Sequence, residues 1–250
     1  MVFFKKFGFW LFSIIAVADL FFIGTGLQQY RYFSKPLLLP LLLVAILAHI
    51  GFKRHLISRT LIIGALVAGT LGDLLLIDSD RNVHLFAYGL ASFLVMQVLY
   101  LVYFLRVQPF RKDTLISNLV VATLLYICVF FMIRFLSPFL GELKIAVIIY
   151  AVVIAVMFLA ATNLYHSRKV FKLAVRYFIP GATFLMVSDA ILAFNKFYFK
   201  EEFFDILIMS TYLAGQLLLA LGFTKHLRRH RHSSTKSHAQ NTEEEMLLLD

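Results

Sequence analysis

Apolar residues run along this chain in eight long blocks separated by short polar stretches. A membrane-crossing helix needs about 20 mostly apolar residues, roughly 17–25. Blocks of that kind fall at residues 7–27, 36–52, 60–77, 84–105, 115–136, 143–163, 177–197 and 206–224. Each run is continuous, whereas the strands of an outer-membrane barrel alternate apolar and polar residues. The pattern predicts an all-α, polytopic bundle of eight transmembrane helices over residues 1–224. The first block follows Lys5 and Lys6, exceeds the length of a signal-peptide core and precedes no small-x-small cleavage site, so it reads as an uncleaved span. Pro109 and Pro138 fall in loops. Pro36, Pro40 and Pro180 are expected in the first turns of spans, where a missing N–H matters least.

Composition supports this reading. The chain is 61% hydrophobic and 15% charged, too little charge to solvate the surface of a 250-residue soluble domain. The net charge of +10 lies in the loops. With eight spans, 17 of the 24 Lys and Arg lie on the side shared by both termini and 7 on the other. That bias places both termini in the cytoplasm and points to anionic lipid headgroups, not nucleic acid, as the partner of the basic loops. Residues 225–250 form a basic, then acidic cytoplasmic tail that is expected to be disordered, its four histidines solvated. Cys128 has no partner cysteine and reads as a packed thiol.

Three carboxylates interrupt the apolar runs: Asp19, Asp73 and Asp189. An ionisable group at bilayer depth is costly and marks a functional site by default. Each lies about a dozen residues into its span, roughly 18 Å from the cytoplasmic end. Ala65, Gly69 and Asp73 share one helix face beside a stripe of Gly64, Ala68 and Gly72, so Asp73 is expected to point into the bundle. Asp189 follows Pro180, Gly181 and Ala182 and adjoins Ser188. Asp19 sits between Ile15 and Ile23, and for it the structural reading, a hydrogen bond to a neighbouring helix, is preferred. Gln97 follows Asp73 by 24 residues and Gln216 follows Asp189 by 27, each with a tyrosine nearby (Tyr100 and Tyr212). This hints at two four-span halves in a parallel repeat, although each glutamine alone also fits a plain interhelical hydrogen bond. Lys35 reads as an interfacial anchor or a phosphate contact at the non-cytoplasmic mouth, and His49 and His84 as interfacial. No spaced Cys/His cluster, nucleotide loop or Ser-His-Asp pattern occurs, so neither a metal nor a cofactor is expected.

Several of these residues carry a family resemblance. In the first half they are Ser34-Lys35-Pro36-Leu37, Gly72-Asp73-x-x-Leu76 and Phe86-x-x-Gly89-Leu90-x-x-Phe93. In the second they are Gly181-Ala182-x-Phe184-x-x-x-Ser188-Asp189-x-x-Leu192-Ala193-x-Asn195-x-Phe197 and Met209-x-x-Tyr212-x-x-x-Gln216. Up to about residue 224 the chain resembles the lysoplasmalogenase family, the YhhN-like membrane proteins. It departs from that pattern at Gln97, where a histidine is expected.

The resemblance implies eight membrane helices and hydrolysis of the vinyl ether bond of lysoplasmalogens. The products would be a fatty aldehyde and glycerophosphoethanolamine or glycerophosphocholine. Asp73 and Asp189 would be catalytic, with Lys35, Gln97, Asn195, Tyr212 and Gln216 as candidate substrate contacts. The partners would be a lysophospholipid and the bilayer: the cytoplasmic membrane of a bacterium, or the endoplasmic reticulum of a eukaryote.

Such a reaction needs an acid to protonate the alkene carbon, a group to stabilise the oxocarbenium ion and a water to attack it. Two carboxyls in a poorly solvated site would share one proton, with either Asp73 or Asp189 as the acid. The headgroup would lie at the mouth, near Lys35 or Arg81. The alternatives are a proton- or cation-coupled transporter and a lysolipid-binding protein without turnover. Against transport, no pair of broken helices is evident at matching positions.

Overall fold

The structure, a computed structural model, describes residues 2–50, 56–78 and 83–247. Among them, eight helices are long and apolar enough to cross a membrane. They are α1 (Val2–Gly24), α2 (Arg31–Ile50), α3 (Leu56–Ile77), α4 (Val83–Val107), α5 (Leu115–Leu136), α6 (Lys144–Asn163), α7 (Phe171–Phe199) and α8 (Phe203–Leu247). Large apolar side chains face outward all round the bundle, with Ile116 80% and Trp10 71% exposed. A surface of that kind suits hydrocarbon, not water.

Two boundaries differ from the sequence reading, and both involve proline. α2 begins at Arg31, so Pro36 and Pro40 lie inside the helix and not in its first turn. Hydropathy cuts the span after Lys35, but Arg31 and Lys35 both face carboxylates in the bundle, which lets the helix start a turn earlier. Pro180 is also interior. It follows a π-helical segment, Ala174–Phe178, and stands second in the α-helical stretch Ile179–Phe194, so it is interior to the spanning helix yet in the first turn of that stretch. The wider π turn gives room for the proline ring where a regular helix would clash with the preceding turn. A second π segment, Asn195–Phe199, closes α7.

The helices pack as two similar halves. α1 packs on α2, α3 on α4, and α2 on α3; in parallel, α5 packs on α6, α7 on α8, and α6 on α7. The halves join through α4 against α6 and α8 against α2. Advancing every helix by four maps each of these pairings onto another of them. One pairing lacks a strong counterpart: α1 leans on α8, whereas among the spanning helices the main packing of α5 is on α6. α8 is the most enclosed span and α5 the least.

Small residues set the close crossings. α7 and α8 meet at Gly181 and Gly215, where a Cβ on Gly215 would lie 3.0 Å from the Gly181 carbonyl oxygen and 2.9 Å from Leu185 Cδ2. Gly72 of α3 faces the Phe93 ring of α4, 2.9 Å from a would-be Cβ. At the opposite end Tyr103, Phe104, Phe178 and Phe223 form an aromatic cluster. His226, expected in a solvated tail, is buried against it and shares a 2.7 Å hydrogen bond with the Tyr103 hydroxyl. Gly215→Val is expected to push α7 from α8 and cost about 1–3 kcal/mol, the usual penalty of overpacking. Thermal unfolding of the detergent-solubilised protein measures it.

Candidate functional site

Asp73 lies four residues before the end of α3 and Asp19 five before the end of α1, so both sit near one end of the bundle. The small residues around Asp73 turn its face inward, as the sequence pattern predicts, and it is 2% exposed. The Tyr212 hydroxyl of α8 donates to its Oδ2 at 3.1 Å. Lys35 Nζ of α2 stands 4.0 Å from its Oδ1. Lys35 was expected at the mouth; it is a buried residue within α2, and its cation faces Asp73. Its electrostatic neighbours are Asp73, Arg31, Asp19 and Asp205. Asp19 is fully buried, accepts from Ser34 Oγ at 2.5 Å and has Arg31 Nε at 3.9 Å. This knits α1 to the start of α2, the structural role preferred for Asp19.

Asp189 of α7 is held differently. The Tyr150 hydroxyl of α6 donates to its Oδ2 at 2.8 Å, and Gln97 Nε2 of α4 donates to the same oxygen at 3.1 Å. Both partners are neutral. Among the described residues, none hydrogen-bonds Oδ1. Asp189 also forms part of the wall of a cavity of about 660 Å³ bounded by α4, α5, α6 and α7. Among the described residues, the rest of that wall is apolar apart from Tyr150 and Cys128, and Asp189 is its one charged side chain.

The other expected site residues separate into two groups. Tyr212 and Gln97 each reach an aspartate, and Tyr212 lies within electrostatic range of both Asp73 and Asp189. Gln216 does not: its Oε1 accepts from the Tyr100 hydroxyl at 2.8 Å, and its Nε2 is 3.2 Å from the sulfur of Met96. Asn195 stands at the end of α7, where its Oδ1 accepts the backbone N–H of Glu201 at 2.9 Å. Arg81 lies outside the described residues. Among the described residues, no three His, Cys, Asp or Glu side chains cluster as metal ligands would.

The two aspartates occupy equivalent places in the repeat. Each takes one partner from the preceding helix of its own half, Lys35 or Tyr150, and one from the last helix of the other half, Tyr212 or Gln97. The sequence separations agree: 73 to 189 is 116, 35 to 150 is 115 and 97 to 212 is 115. The counterpart of Gln97 is therefore Tyr212, not Gln216 as the sequence interval suggested. Gln216 instead matches Tyr100, again 116 positions away, and these two bond to each other across the halves. Tyr150 was missed by the sequence reading. A lone tyrosine in an apolar run carries no motif, and only the offset from Lys35 marks it.

Residues 30–223 match the YhhN family. The chain belongs to the YhhN family. Among curated proteins it is 33% identical over 178 residues to lysoplasmalogenase TMEM86A of Homo sapiens, covering 70% of each chain. It is 32% identical to lysoplasmalogenase TMEM86A of Bos taurus, again over 70% of each. It is 30% identical to lysoplasmalogenase TMEM86B of Rattus norvegicus, over 63% of this chain and 59% of that one. No solved structure matches.

Removing one partner of a buried ion pair leaves the other charge uncompensated. Lys35→Met is expected to cost about 3 kcal/mol, and adding Asp73→Asn to it should restore most of the loss. A double-mutant cycle of thermal stabilities measures that coupling.

Proposed function

We propose that this YhhN family member is an integral, multi-pass membrane enzyme that hydrolyses the vinyl ether bond of lysoplasmalogens. The lysoplasmalogenase names of its relatives support the reaction class. The carrying observation is the contrast between the two aspartates: Asp73 faces a cation, while Asp189 has only neutral donors and borders an apolar cavity. A carboxyl without a counter-charge in apolar surroundings is suited to be the proton donor; one beside a lysine is suited to remain an anion.

In this mechanism Asp189 protonates the alkene carbon. The resulting oxocarbenium ion is stabilised by the Asp73 carboxylate. Water attacks the cationic carbon and gives up a proton to Asp73 as general base. The hemiacetal collapses to a fatty aldehyde, its hydroxyl proton passing to the departing glycerol oxygen. The proton on Asp73 returns to Asp189, and the acid is reset. Tyr150 and Gln97 hold Asp189 by Oδ2, leaving Oδ1 as the oxygen that meets substrate. The products are the aldehyde and glycerophosphoethanolamine or glycerophosphocholine. Both chain termini lie in the cytoplasm, as the loop charges indicate.

Purified protein in micelles, where no gradient exists, is expected to release aldehyde from a vinyl ether lysolipid and to leave the alkyl ether and acyl analogues intact. Asp73→Asn and Asp189→Asn are each expected to lower that rate by at least about 100-fold, the scale of general acid–base catalysis, without loss of the folded protein. No aldehyde from the wild-type protein overturns the reaction. Near-normal turnover by either variant removes that aspartate from it.

A further inference from the structure

The two halves share a packing plan but differ in one place. In the first half α1 closes onto α8: Phe12, Ala16, Asp19 and Ile23 form its buried face, and Gly24 approaches Ile206. In the second half α5 occupies the equivalent position, and its buried residues are only Asn118, Leu125 and Leu136. The position matching Asp19 is Phe135, again 116 residues on, and it lines the cavity. Where the first half is closed and polar, the second is open and apolar.

α5 is fastened at its ends. At one end the Asn118 amide donates to Asn163 Oδ1 of α6 at 3.0 Å and to Thr114. At the other, Phe135 and Phe139 pack on the Tyr198 ring of α7, with centroids 5.0 Å and 5.3 Å away. Between these fastenings, Cys128 and Phe131 of α5 line the cavity and are also exposed, so Cys128 is not the packed thiol that the sequence suggested. Val187 of α7 likewise lines the cavity and is exposed. The cavity therefore opens sideways between the middle of α5 and α7, onto the apolar exterior.

We infer that this cavity is the binding site of a single unbranched aliphatic chain, admitted from the bilayer through the side window between α5 and α7. The inference rests on the reading of the protein as a membrane-embedded lysolipid enzyme and locates the part of the substrate that the catalytic argument leaves unplaced. The wall is apolar, which excludes a phosphate headgroup as occupant. A volume of about 660 Å³ lies within the range of sites that enclose one small ligand. Asp189, at the wall, then meets the chain at its ether end.

The test uses a 1-alkyl lysophosphocholine whose chain carries a terminal diazirine, photolysed with the wild-type protein in phosphatidylcholine nanodiscs. An alkyl ether is not a substrate of the proposed reaction, so the result does not depend on turnover. Adducts are expected on Cys128, Met132, Ala155 and Met186, and excess lysolipid should suppress them. Ala155→Trp, which fills the cavity, should cut adduct yield from a long-chain probe at least tenfold and spare a short-chain probe. Adducts spread over outward residues such as Trp10, Ile14 and Val17, or adducts that excess lysolipid does not displace, overturn the inference. Cavity adducts without aldehyde release from vinyl ether substrates would uphold the chain site while refuting the hydrolase reading.

Discussion

A carboxylate inside an apolar bundle must find its donors on neighbouring helices, because the surrounding hydrocarbon offers none. Asp73 and Asp189 meet that demand in the same way. Asp73 ties α3 to α2 and α8; Asp189 ties α7 to α6 and α4. In each case one bond stays within a half and the other crosses to the opposite half. These two carboxyl groups and their partners thus register the two halves against each other. The Tyr100–Gln216 bond adds a third crossing link at matched positions.

On that shared frame, two differences separate the halves. The first is charge: the lysine facing Asp73 is replaced at the matching position by Tyr150, whose hydroxyl is neutral. The second is space: α1 closes the first half, while α5 stands off and leaves a cavity in the second. Both differences favour unequal roles for the two carboxyls, and both fall in the half that holds Asp189. Two aspartates at matched positions thus have different surroundings, one beside a cation and one beside an apolar cavity.

Much of the architecture was legible along the chain. Spanning helices must satisfy their own backbones and face lipid, so the eight apolar runs identify them directly. The small-residue stripe beside Asp73 correctly marks its face as inward, because only small side chains allow the close approach seen at Gly72 and Phe93. The start of α2 was misread because hydropathy treats every cation as an interfacial marker. Arg31 and Lys35 lie within the helix because carboxylates from other helices face them, and pairing of that kind is invisible to a window moving along one segment.

The amino-acid sequence by itself determined the helix count and the inward face of Asp73. Those properties depend on composition and spacing within single segments. Tertiary structure decided which residues meet. It paired Gln97 with Asp189 and Tyr212 with Asp73, brought Tyr150 to Asp189, sent Gln216 to Tyr100, and set Asn195 at the end of α7. The reason is physical: a side chain's partner in a bundle is fixed by how helices far apart in sequence cross and rotate, and no local pattern encodes that rotation.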